Sequence, residues 1–228
     1  MRMGKKKKIV EKISPSIVRK LAELESLRKA QLDIAKNIMT AYGGAAYALD
    51  LYILGAINRS MYLSVSFAEM IKQGNAMCAI PILRLQMDSV MRVSAFWVVS
   101  EPHQFVGQIL KGKKLNEFKS KDDKKLTDQY LHTRLSEEYK NFSKVYDHTS
   151  GFIHLSEKHM FAQVESMDET ERTIQISIGP PKHSDWAEKD VVEVANGFIE
   201  VSKILNKYCE GWFKTKNNPP NSDSEANS

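Results

Sequence analysis

Apolar residues recur along this chain at helical spacing, and the breaks between runs divide it into five to six helical segments and one hairpin. Over residues 14 to 40, Ile17, Leu21, Leu24, Leu27, Ile34 and Ile38 share one face with charges opposite. Ser14 and Pro15 open this helix, and Gly43 and Gly44 end it. A second helix, about 45 to 72, is apolar nearly all round and stops at Gly74-Asn75. A third follows at once to about residue 100, so the two are expected as an antiparallel pair joined by a tight turn. Pro81 marks either a late start of that helix or a kink. Glu101-Pro102 breaks the pattern, residues 103 to 111 read as a short helix, and a lysine-rich loop follows. A polar, less regular helical region then runs from Lys124 to about Leu155, with a break near Ser136.

The period changes after that. Phe161 to Ser166 and Arg172 to Gly179 flank an acidic turn, and Ile174, Ile176 and Ile178 alternate with Thr173, Gln175 and Ser177. This predicts a β-hairpin at about 161–179 with one buried face, closed by Pro180 and Pro181. Ser184 or Asp185 then caps a last helix to about Lys214. Its Ala187, Val191, Val194, Phe198, Val201, Leu205, Tyr208 and Trp212 step by four and three as in a bundle seam. The expected fold is all-α, a helical bundle with a hairpin inserted before the C-terminal helix. The expected organisation is a basic flexible arm over residues 1–13, a single domain over 14–214 and a disordered tail over 215–228.

Composition narrows the class. At 228 residues, with 42% hydrophobic and 27% charged positions, the chain is an ordinary globular protein. Cys78 and Cys209 have no CxxC-type neighbour, so reduced thiols and a cytoplasmic location are expected, with Cys78 inert in an apolar setting. The basic N-terminus is followed by no apolar run of a secretory signal. Residues 45 to 71 are interrupted by Asp50, Asn58, Arg59 and Glu69, so no membrane association is expected. The net charge of +5 comes largely from the N-terminal lysines and from residues 111 to 125, where the lysines outnumber Glu117, Asp122 and Asp123. Such a segment attracts polyanions, but it lacks interleaved aromatics for base stacking, which puts the reading as a solvated loop ahead.

Candidate chemistry centres on the third helix. Arg84, Asp88 and Arg92 stand four residues apart, on one stripe of a helix whose other positions are almost all apolar. Unpaired burial would cost each several kcal/mol, so the stripe must meet partners or line a crevice. A second polar stripe is expected to answer it: if residues 145 to 156 are helical, Asp147, Ser150 and His154 share one face, with Gly151 allowing close approach. Two arginines could neutralise a phosphate while His154 or His148 moves a proton and Asp88 or Asp147 orients them. Against this stands a plainer reading, in which the same residues form a buried ionic network of a non-catalytic interaction module. No metal site is expected, since His154 and His159 are five apart, and no cofactor motif is present.

Two blocks, Leu83 to Arg92 and Tyr146 to Ser156, make the chain resemble a group of bacterial all-helical proteins similar to the HEPN superfamily, several of them linked to phage defence. The resemblance covers about half the chain. It implies a helical bundle, frequent dimerisation, and metal-independent ribonuclease activity on RNA in active members, with Tyr146 among the ligand-binding candidates. Their signature is an arginine four to six residues before a histidine. No arginine precedes His148 or His154 at that spacing, so Arg84 or Arg92 of the third helix would have to serve instead.

Overall fold

The computed structural model describes residues 13–179 and 187–218; most of the basic N-terminal arm, Pro180 and Pro181, the expected caps Ser184 and Asp185, and the end of the tail lie outside them. Among the described residues the fold is all-α with one hairpin. Its helices are α1 (Pro15–Thr40), α2 (Ala48–Lys72), α3 (Ala76–Val98), α4 (Pro102–Leu110), α5 (Asp128–Glu138), α6 (Phe142–Ser150), α7 (Glu157–Phe161) and α8 (Glu188–Asn217). The strands β1 (Val164–Asp168) and β2 (Thr173–Ile176) pair antiparallel just ahead of α8. No described helix is long and apolar enough to cross a membrane.

Local chemistry sets most of these limits. The Ser14 hydroxyl accepts the Ile17 amide at 3.4 Å, with Pro15 in the first helical turn, as a start signal requires. After Thr40 the chain turns through Tyr42, Gly43 and Gly44, all at positive φ, a conformation that glycine adopts without strain. Gly74 at φ +66 reverses α2 into α3, where Asn75 caps by accepting the Cys78 amide at 3.1 Å. α3 begins ahead of Pro81, so the proline does not delay its start.

α1, α2, α3 and α8 form the main bundle, and α5 and α6 pack on the outer side of α3. The seam of α8 is buried as its spacing predicts, apart from Ala187 at its start and the half-buried Tyr208, and Phe198 stacks on Phe67 of α2 with centroids 4.2 Å apart. A polar thread crosses this core. Gln31 donates to Ser60 and Asn206 at 2.9 and 3.0 Å, and Gln86 donates to Ser60 and Ser202 at 2.6 and 3.2 Å, tying all four helices.

Three expectations are corrected. The polar region after Lys124 is two helices, parted at Tyr139 to Asn141 rather than at Ser136. The hairpin starts later, since Phe161 belongs to α7, and its isoleucine face is exposed rather than buried. Cys78 is exposed near the start of α3, whereas Cys209 is buried and burial pushes its thiol up to about 12.

Candidate functional site

The stripe on α3 lies at the surface edge of the bundle. Asp88 sits between two guanidiniums: Arg59 of α2 donates to its Oδ2 at 3.1 Å, and Arg92 donates to its Oδ1 at 3.0 Å. Arg92 reaches on to Asp128 at 2.8 Å, in the first turn of α5, where the helix dipole also favours a carboxylate. Arg59 adds bonds to the Ser89 hydroxyl and the Leu85 carbonyl. The side chains of Asp88, Arg92 and Arg59 are 26%, 36% and 40% exposed, so the stripe lines a crevice and is not sealed in the core.

That crevice is a groove of about 370 Å³. Tyr52, Arg59, Ser89 and Arg92 line it together with Ile109 of α4 and Leu115 of the lysine-rich loop. The loop is an ordered clip rather than a free strand. Lys119 and Lys125 pair as an isolated bridge, Phe118 meets Phe105 edge-on at 4.7 Å, and Leu126 is buried, while its lysines are exposed.

The Tyr52 hydroxyl donates to the Arg92 carbonyl at 2.8 Å, and burial pushes this phenol up to about 12. The folded state therefore holds a proton that an unfolded tyrosine releases near pH 10. The stabilisation is complete below about pH 10 and is lost as pH rises toward 12. Alkaline titration should show phenolate absorbance lagging behind that of the urea-unfolded chain and rising with loss of helix signal. Tyr52→Phe should remove the part of the lag that belongs to this residue.

Arg84 points another way. Its guanidinium lies 3.9 Å above the Tyr146 ring, and His132 of α5 meets the same ring at 4.2 Å, so α3, α6 and α5 are joined by one stack.

The expected second stripe does not form. α6 ends at Ser150, where the Lys158 ammonium donates to the His148 carbonyl at 2.9 Å and the Ser156 hydroxyl donates to the Gly151 carbonyl, so carbonyls that a further turn would use are already bonded. His154 therefore lies in an exposed turn beyond the helix, off the face of Asp147 and Ser150. Asp147 is exposed, and among the described residues it accepts only from Ser143 on its own helix, at 3.3 Å. Gly151 is approached by the Lys158 side chain rather than by a packed helix. His148 lines a different hollow, between α6 and α8. The structure thus brings Asp88 and Arg92 together and joins Arg84 to Tyr146, but it leaves Asp147, Ser150, His148 and His154 apart from them.

Three partners escaped sequence reasoning: Arg59, Asp128 and His132. Arg59 carried a signal, since a lone arginine in the apolar second helix requires a carboxylate in reach. No family model, curated protein or solved structure matches the chain.

Proposed function

We propose that the chain binds phosphate-bearing ligands, RNA foremost, along the groove between α2, α3 and the lysine-rich loop. One observation supports this most: Leu115 of the loop lines the same groove as Arg59 and Arg92, so Lys111, Lys113 and Lys114 stand within four residues of its wall. Among the described residues Arg59 bonds through Nη1 alone, which leaves its Nε and Nη2 donors for an anion. Phosphate recognition is also what the resemblance to HEPN-type proteins implies for the arginines, and a place in phage defence belongs to the same proposal.

Fluorescence anisotropy with a labelled single-stranded RNA tests it. Affinity should fall linearly on a log–log plot against salt, by about 0.7 per phosphate engaged. Arg59→Ala combined with Lys113→Ala and Lys114→Ala should weaken binding about tenfold or more at low salt. Asp88→Asn removes the carboxylate that competes for both guanidiniums. It should tighten binding severalfold while costing about 1–3 kcal/mol of stability. Absence of binding at low salt, or affinity indifferent to these changes, overturns the reading.

A second reading, a protein-interaction module with an architectural ionic centre, is favoured by the balance of the cluster: Asp88 and Asp128 match Arg59 and Arg92 without any ligand. It predicts the same destabilisation by Asp88→Asn with no RNA bound. Cleavage is a separate question: His148 and His154, the expected proton carriers, lie away from this groove.

A further inference from the structure

The outer face of α2 carries an aromatic that the fold does not use. Tyr62 is 70% exposed, more than any other described aromatic, and its ring and hydroxyl make no hydrogen bond, ring contact or cation contact among the described residues. It lines a groove of about 420 Å³ between α1 and α2, together with the exposed Leu32 and Val65 and with Arg28, Lys29 and Asn58. Glu25, the one carboxylate in that wall, is held by Arg28 in an ion pair, and Lys29 has no partner among the described residues. The groove therefore combines a free aromatic ring with a cation in excess.

This surface runs without a break into the arginine groove. Gly55, Arg59 and Tyr62 stand at i, i+4 and i+7 along α2, which places them on one face of the helix. Gly55 lines the arginine groove, and no atom lies within 4 Å of where its Cβ would stand. Its φ is not positive, so neither packing nor backbone conformation calls for a glycine there, and the helix gives up stability to keep it. Bare helix backbone between two cationic grooves is what the close approach of a ligand strand requires.

We infer that Tyr62 is a stacking platform for one base of a single strand that leaves the arginine groove over Gly55 and enters the α1–α2 groove, where Lys29 meets its backbone. Resting on the RNA reading above, this site adds an uncharged contact that the lysine-rich loop, with its lack of interleaved aromatics, does not supply. Arg59 and Tyr62 are three residues apart, with Cβ atoms about 5–6 Å from each other, so a phosphate on the free Arg59 donors and a neighbouring base on the ring are held by one turn of helix. Every base has a π-face, so such a platform is indifferent to sequence, and it takes unpaired bases because those of a duplex are already stacked. The adjoining guanidinium and lysine favour a nucleic-acid strand over an apolar protein segment.

Anisotropy with two labelled strands of equal length, an oligouridylate and its abasic ribose-phosphate counterpart, separates stacking from charge. Tyr62→Ala, with an unchanged far-ultraviolet circular dichroism spectrum, should weaken the oligouridylate about tenfold and leave the abasic strand and the salt slope unchanged, while Tyr62→Phe keeps wild-type affinity. Lys29→Ala should weaken both strands. Gly55→Leu should raise the urea midpoint, since leucine favours the helix, and yet weaken both strands severalfold. Tyr62→Ala that binds the oligouridylate like the wild type, or loses both strands alike, overturns this inference and leaves the RNA reading standing. Gly55→Leu that gains stability and loses no affinity overturns the path over α2. A wild type that binds neither strand overturns the RNA reading together with this one. A wild-type dimer that Tyr62→Ala dissociates in light scattering assigns the face to a second copy and overturns the inference as well.

Discussion

Asp50→Ala should destabilise the protein by about 3–5 kcal/mol, the cost expected when one partner of a buried ion pair is removed. Asp50 Oδ2 accepts from the Lys216 ammonium at 2.8 Å and from the Tyr47 amide at 2.8 Å, while its Oδ1 accepts the Trp212 indole N–H at 2.8 Å. Lys216 donates as well to the Ile38 carbonyl at 2.7 Å, so one cluster ties the start of α2 to the ends of α1 and α8. The two side chains are 9% and 1% exposed, and water cannot replace what is lost. Alanine strands the ammonium and leaves the indole N–H unpaired. Asp50→Leu with Lys216→Met removes both charges together and should recover much of the loss. Urea unfolding followed by tryptophan fluorescence reads this as a midpoint shift of roughly 2 M for the single variant, at a slope near 2 kcal/mol per molar. Equal midpoints for wild type and Asp50→Ala would show that the pair contributes nothing.

Phe67→Ala should cost a comparable amount, about 3–5 kcal/mol, by a different route. Phe67 and Phe198 are both fully buried and stack at an interplanar angle of 20°. Truncation removes the aromatic contact and opens a cavity between α2 and α8 that the flanking helices, held by the Gln31–Ser60–Gln86 thread, cannot close. Phe67→Leu keeps most of the volume and should lose less than half as much. A loss that did not depend on the size of the substitution would argue against cavity formation as the cause.

The two clusters differ in how far they could be read from the chain. Phe67 and Phe198 stand on helices whose apolar period places them inward, and the antiparallel pairing of α2 and α3 followed from Gly74-Asn75. Lys216 gave no such signal. It lies in the last turn of α8, next to a polar tail, and looks like an ordinary solvated lysine until α8 is laid against the N-terminus of α2. The stripe on α3 was legible as a set of charges needing partners, and the partners were not. Asp147 and His154 were expected to supply them, but Lys158 and Ser156 take the His148 and Gly151 carbonyls, α6 stops, and the i to i+7 relation disappears. Arg59 and Asp128 take the place instead, brought there by the α2–α3 turn and by the clip that carries the lysines.

Periodicity and caps, which act over a few residues, are sufficient to determine the long helices, the hairpin and the presence of a charged stripe on an apolar helix. Ionic partners, the path of the lysine loop along the arginine groove and the exposure of the isoleucine face were decided by packing alone. A charge or an apolar face is a local property, but what satisfies it is whichever distant group the bundle carries to within a few ångströms.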